Sequence, residues 1–127
     1  MNYAELHCKS NFSFLQGASS AEQLVRRAVR LGYTALAITD RNTLAGVVRG
    51  HGASADAELQ YIVAAELTFG DAPPCVVWIR NRSAYASLCR LLTLGRRQAS
   101  KGNCCLSFED LVSHGDEFIL GVIPDWN

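Results

Sequence analysis

The stretch Tyr33–Val48, YTALAITDRNTLAGVV, decides how the chain reads. Thr34–Thr39 is a short apolar run without polar alternation, which fits a strand buried on both faces. Asp40 stands at its end, Arg41-Asn42-Thr43 follow as a polar loop, and Leu44–Val48 begins a helical pattern. Strand, polar loop and helix form the repeating unit of α/β sheets and barrels, whose chemistry sits in the loops after the strands. Asp40 is therefore placed where a site is expected. It equally fits a cap for the following helix.

Upstream, Tyr3–Cys8 reads as a first strand and Lys9–Gly17 as a loop rich in Ser, Asn and Gly. Ser20 with Gln23 forms a capping-box pattern, and Ala21, Leu24, Val25 and Ala28 fall on one helix face. Glu22, Arg26 and Arg30 share the opposite face, and Gly32 closes the helix. Downstream, Gly50–Glu58 reads as a loop and Tyr61–Ala65 as a third strand, with Glu66 at its end. Gly70–Pro74 is a turn and Cys75–Ile79 a fourth strand. Tyr85, Leu88, Cys89 and Leu92 mark a helix running to about Gly95, followed by the polar linker Arg96–Asn103. Ser107 and Asp110 open a short helix that His114-Gly115 closes, and Phe118–Ile123 is a fifth strand. This alternation predicts an α/β fold with a mainly parallel sheet and flanking helices.

At 127 residues the chain has room for one domain, residues 1–127, and one core. Hydrophobic residues at 49% against 19% charged residues exclude a disordered chain. A formal net charge of zero selects no partner. No apolar run reaches the roughly 18 residues of a membrane span, and the N-terminus lacks the pattern of a signal peptide. Five cysteines without a Cys-x-x-Cys pair read as reduced thiols of a cytoplasmic protein.

If strands one to three are parallel, their C-terminal ends bring His7, Asp40 and Glu66 to one patch. Each also has a structural reading: His7 as a hydrogen-bonded core histidine, Asp40 as a cap, Glu66 as a strand terminus. A second charge pattern lies between Ala72 and Phe108, where six basic residues and no acidic one occur. Within it, Arg82, Arg90, Arg96 and Arg97 are candidate contacts to nucleic-acid phosphates or an acidic partner, or else a solvated helix face.

ELHCKSNFSFLQG (5–17) resembles the opening of the PHP (polymerase and histidinol phosphatase) domain. More narrowly, it is similar to the version that begins the bacterial DNA polymerase III alpha subunit family, closest to the error-prone, translesion branch. LGYTALAITD (31–40), LAGVV (44–48), IVAAE (62–66), SAYASLCRLLT (83–93) and LSFEDL (106–111) carry the likeness along almost the whole chain. The resemblance implies a seven-fold β/α barrel, of which this chain is an incomplete, TIM-like N-terminal portion. It implies metal ions at the strand ends in hydrolytic members, and only a supporting role in degenerate ones. It places DNA as a partner through a parent polymerase active in replication and repair.

Matched to the family's motifs, His7-Cys8-Lys9 has Lys9 in place of the second His of a His-x-His pair. Gln16-Gly17 replaces an Asp-Gly step, Thr39-Asp40-Arg41 has Arg41 in place of a His, and Ala64-Ala65-Glu66 keeps its acid. The His expected before the fourth strand falls near Pro74, and later ligands fall beyond residue 127. His7 and Glu66 are the surviving ligand positions, and a pocket of His7, Lys9, Asp40, Arg41 and Glu66 replaces the metal site. Two ligands facing two fixed cations make a poor site for Zn or Mn, so no cofactor is expected. Lys9 or Arg41 would pair with Glu66 or Asp40 in the metal's stead; the alternative leaves both basic side chains in solvent. The chain alone is then a noncatalytic module of a DNA-directed DNA polymerase. The alternative is a stand-alone metal-dependent phosphoesterase or exonuclease. An unclosed barrel leaves an open sheet edge, through which the chain would self-associate.

Overall fold

The computed structural model describes residues 2–125; Met1, Trp126 and Asn127, which the single-domain reading includes, lie outside the described residues. Strand β1 (Ala4–Cys8) leads through the Lys9–Gly17 loop into helix α1 (Ala21–Arg30). Ser20 Oγ accepts from the Gln23 backbone N–H, and the Gln23 side chain accepts from the Ser20 N–H, so both ends of the capping box form. Ala21, Val25 and Ala28 are the buried face of α1. Gly32, at φ +72°, ends it: the Gly32 N–H donates to Val29 O and the Tyr33 N–H to Ala28 O. Only glycine adopts that left-handed turn without strain.

Strand β2 (Ala35–Ile38) is buried on both faces, as its unbroken apolar run predicts. Beyond it the sequence reading needs correction. Helix α2 spans Val47–Asp56, so most of the expected loop Gly50–Glu58 is helical. Gly50 and Gly52 disguise the helix, yet Gly50 is there for packing: a Cβ on it would lie 2.7 Å from the Tyr61 ring. Tertiary contact overrides the low helix propensity of glycine.

Strand β3 (Gln60–Leu67) runs past Ala65, so Glu66 lies inside it rather than at its end. Strand β4 (Cys75–Trp78), helix α3 (Arg82–Arg97), helix α4 (Phe108–His114) and strand β5 (Ile119–Val122) complete the order. Helix α3 continues two residues beyond Gly95, taking Arg96 and Arg97 out of the expected linker. The sheet order is β1-β2-β3-β4-β5. The pairs β1–β2 and β2–β3 are parallel, whereas β3–β4 and β4–β5 are antiparallel. The second half therefore departs from the mainly parallel expectation. For β3–β4 the cause is the tight Gly70–Pro74 turn, since a parallel crossover needs about a dozen or more residues between strands; β4–β5 is antiparallel although α3 and α4 lie between its strands.

The helices cover one face of this sheet in two clusters. Val25 and Ala28 pack with Leu36, Ile38 and Leu59, while Leu88, Leu91 and Leu92 pack with Ala65, Leu67, Val77, Leu106 and Leu111. The other face curls inward. The indole N–H of Trp78 on β4 donates to Leu6 O on β1, 2.9 Å away, although two strands separate them in the sheet. A concavity of about 570 Å3 lined by Leu6, Ile62, Trp78 and Ile119 lies under this bridge. The chain is thus an α/β half-barrel, consistent with an incomplete TIM-like barrel.

Gly95 fixes how closely α3 approaches the segment before α4. A Cβ there would meet Cys104 Sγ at 2.6 Å and Leu106 Cδ2 at 2.8 Å, and Gly95 O accepts from the Cys105 N–H. Gly95→Ala is expected to destabilise the fold by about 1–3 kcal/mol through overpacking. The alanine's helix propensity, worth about 1 kcal/mol in the other direction, reduces the net loss to about 2 kcal/mol at most. Urea denaturation checks this; a stabilised variant would mean the Cys104–Leu106 segment simply gives way.

Candidate functional site

Alternation along β1 sends Cys8 toward the helices and His7 and Lys9 to the concave face. Along β3, Ala65 and Leu67 pack under α3, which turns Glu66 to the same concave face. There Lys9 Nζ donates to Glu66 Oε2 at 2.6 Å and to Thr39 O at 3.4 Å. His7 Nε2 lies 2.8 Å from the same Glu66 oxygen. The Glu66 side chain is only 11% exposed, whereas that of His7 is 44% exposed, so His7 is no core histidine. Burial alone would raise the Glu66 carboxyl. Hydrogen bonds from Lys9 and His7 together outweigh it and hold the group below the ordinary value of 4.5.

Asp40 takes neither role expected of it. Helix α2 has Gly46 at its N-cap and no side-chain cap, so Asp40 does not cap it. Nor does its carboxyl meet Glu66, His7 or a cation. It is buried, and it accepts from the Ser10 N–H (2.8 Å), Ser10 Oγ (2.6 Å) and Ser13 Oγ (2.7 Å). The Arg41 N–H in turn donates to Ser13 Oγ. Asp40 thus braces the β1–α1 loop from below. Ser10 and Ser13 escaped the sequence reading; their only signal is a pair of small hydroxyl residues after a strand.

The Arg41 backbone bridges to Glu66, but its side chain is exposed and makes no ion pair among the described residues. Beside it Asn42 sits at φ +53°, a left-handed conformation that asparagine tolerates. Asn42 Nδ2 donates to Thr68 Oγ1 and Asn42 Oδ1 accepts from the Thr68 N–H, which ties this loop to the end of β3. Arg96 Nη2 donates to Asn42 O at 2.7 Å. The four arginines of the basic segment therefore do not form one surface. Arg96 turns toward the Arg41 loop, Arg90 and Arg97 border a separate groove with Cys89 and Thr93, and Arg82 begins the helix at its far end.

Among the described residues, His7 and Glu66 are the two metal-ligand types that meet at the strand ends, fewer than the three or four protein ligands zinc takes. His7 and Glu66 converge, but the Lys9 ammonium sits on Oε2, the same Glu66 oxygen that His7 faces, and puts a fixed positive charge where a metal would bind. No group of three or more His, Cys, Asp or Glu side chains suited to a metal occurs among the described residues. Cys8 adds no ligand: it faces the helices, and burial pushes its thiol up to about 12.

The sequence pattern of the family described as "PHP domain" matches residues 5–124. The chain belongs to the PHP domain family. It is 54% identical to an error-prone DNA polymerase of Rhodopirellula baltica over 97% of its own length and 11% of that protein. It is 53% identical to an error-prone DNA polymerase of Pseudomonas aeruginosa, over 98% of its own length and 12% of that protein. The match falls in the N-terminal region of such polymerases, and the chain spans about a tenth of their length. Two solved structures share the fold. An amidohydrolase from Chromobacterium violaceum, with bound sulfate and no metal, has a TM-score of 0.62 at 22% identity, covering 74% of this chain and 33% of its own. A protein provisionally named a metal-dependent phosphoesterase, from Bifidobacterium adolescentis, has a TM-score of 0.62 at 21% identity, covering 90% of this chain and 43% of its own.

Within this PHP chain, the lowered Glu66 carboxyl carries a testable sign. A carboxyl held below its unfolded value stabilises the fold when ionised, above pH about 4.5, and the contribution is lost as pH falls through the folded value. Glu66→Gln is expected to cost about 2 kcal/mol at pH 7 by leaving Lys9 uncompensated. The difference from the parent chain should shrink as pH drops below 4.5. Denaturation curves at several pH values check this; a pH-independent gap would remove the charge from the explanation.

Proposed function

We propose that this chain is the N-terminal portion of a PHP domain in a longer polymerase of the error-prone type, and that it serves there as a noncatalytic scaffold. The observation that carries this reading is the Lys9 ammonium, 2.6 Å from Glu66 Oε2. It neutralises the acid where hydrolytic members of the family, by resemblance, place a metal. A built-in cation keeps the strands β1 and β3 tied without an ion and supplies no activated water. The relatives named as error-prone DNA polymerases, with the chain covering about a tenth of each, support the longer parent and DNA as its partner. All five cysteines are free, which suits a cytoplasmic setting. No helix among the described residues is long and apolar enough to cross a membrane.

A stand-alone metal-dependent phosphoesterase is the second reading, favoured by His7 and Glu66 still meeting at the strand ends. Metal analysis of the purified chain, beside hydrolysis of a phosphomonoester and of single-stranded DNA with added manganese, separates the two. The scaffold reading expects no stoichiometric Zn or Mn and no turnover above background. It also expects Lys9→His, which rebuilds a His-x-His pair, to raise zinc affinity. Turnover abolished by a chelator and by Glu66→Ala would establish the phosphoesterase instead.

The same reading makes β5 an interface in waiting. Ile119, Leu120 and Val122 are partly exposed, Val122 by 69%, and β5 is the last strand of the sheet. An apolar edge of this kind pairs with further strand. In the isolated chain a second copy is expected to fill it, seen as concentration-dependent sedimentation. Placing Lys at Leu120 or Val122 should return the chain to monomer.

A further inference from the structure

We propose that the cavity between the β1–α1 loop and the C-terminal end of α3 binds single-stranded DNA, holding a phosphate on Arg41 and Arg96 and a base on the rings of Phe12 and Phe14. The inference deepens the reading of the chain as part of a DNA polymerase. Its own support is a set of side chains that the sequence keeps far apart.

The cavity holds about 340 Å3 and is lined by Phe12, Phe14, Gln16, Arg41 and Arg96 among others. An adjoining cavity of about 300 Å3 shares Arg41 and Arg96. No acidic side chain lines either one. Neither arginine forms an ion pair among the described residues. Arg96 is held in place by one N–H on Asn42 O, which leaves its other donors for a ligand. Arg41 is exposed beside it. Two guanidinium groups at one cavity are suited to a phosphate, which each can meet with paired N–H donors.

The rings make the site more than an anion trap. Phe14 is 85% exposed, and the neighbouring Leu15, at φ +62°, is 90% exposed. The loop that presents them is braced: Asp40 holds Ser10 and Ser13, and Phe12 N–H donates to Ser10 Oγ. Exposed aromatic faces beside cations are how proteins hold unpaired bases, since a base can stack only once it has left its duplex. The volume, at the small end of ligand cavities, suits one nucleotide unit and not a duplex groove. An acidic peptide would satisfy the arginines and leave the rings unused.

Fluorescence anisotropy of a labelled oligothymidylate, titrated with the 127-residue chain at several salt concentrations, tests the proposal. Phe14→Ala is expected to weaken binding about tenfold, the usual cost of losing one stacked base. Arg41→Ala should lower the slope of log affinity against log salt by about 0.7, the value of one phosphate contact on a single strand. Both side chains are exposed, so circular dichroism should show the fold retained. The proposal is overturned if both variants bind like the parent chain, or if no binding occurs at low salt. It is equally overturned if only the Arg90→Ala, Arg97→Ala double variant loses affinity, or if a polyglutamate peptide competes as well as the DNA does. The readout is binding alone, so failure here leaves the metal and hydrolysis outcomes of the scaffold reading standing.

Discussion

A carboxylate on a strand flanked by apolar packing needs a positive partner, and in this chain Lys9 supplies it. The Lys9–Glu66 contact joins β1 to β3 across β2, which lies between them in the sheet. It spans a curled sheet, and the Trp78–Leu6 bond reports the same curvature one strand further on. Burial alone would push the Glu66 carboxyl up. The ammonium, with His7 on the same oxygen, offsets that penalty and holds the carboxyl below its ordinary value. One ion pair therefore links β1 to β3 across the concave face and occupies the mouth of the half-barrel.

Around that pair, the loops at the strand ends are clasped rather than left to move. Asp40 holds the β1–α1 loop through two serines. Asn42 clasps Thr68 at the end of β3, and Arg96 reaches over from α3 to the Asn42 carbonyl. Next to that arginine, the bare Cα of Gly95 lets the Cys104–Leu106 segment lie directly against α3. Polar groups that elsewhere bind ligands are here used on backbone and hydroxyl partners. What is left unused on the mouth is cationic and aromatic.

Much of this was legible along the chain. The buried run at Ala35–Ile38, the capping boxes at Ser20 and Ser107, and the glycine stop at Gly32 are local signals, and each appears where its pattern puts it. Glycines misled at α2, because Gly50 answers to Tyr61 and not to the local backbone preference. The antiparallel β4 was hidden by strand–helix alternation, although the shortness of the Gly70–Pro74 turn carried the information. Ser10 and Ser13 were illegible, since a hydroxyl near a strand end has no distinguishing pattern until its acceptor is known.

The sequence by itself determined the family, the order of elements, and the residues that would crowd the strand ends: His7, Lys9, Asp40, Arg41 and Glu66. His7, Asp40 and Glu66 follow from residue type and place at strand ends, and the family, Lys9 and Arg41 from resemblance to its motifs; all of these are properties of one dimension. Only the tertiary structure decided how the five were shared out, with Glu66 to Lys9 and His7, Asp40 to the serines, and Arg41 to the company of Arg96 and Phe12. Partner choice among charged groups depends on which strands lie side by side and which way a curled sheet turns their side chains. Those are distances through space, and residues from 27 to 59 positions apart acquire them only when the strands pair and the sheet curls.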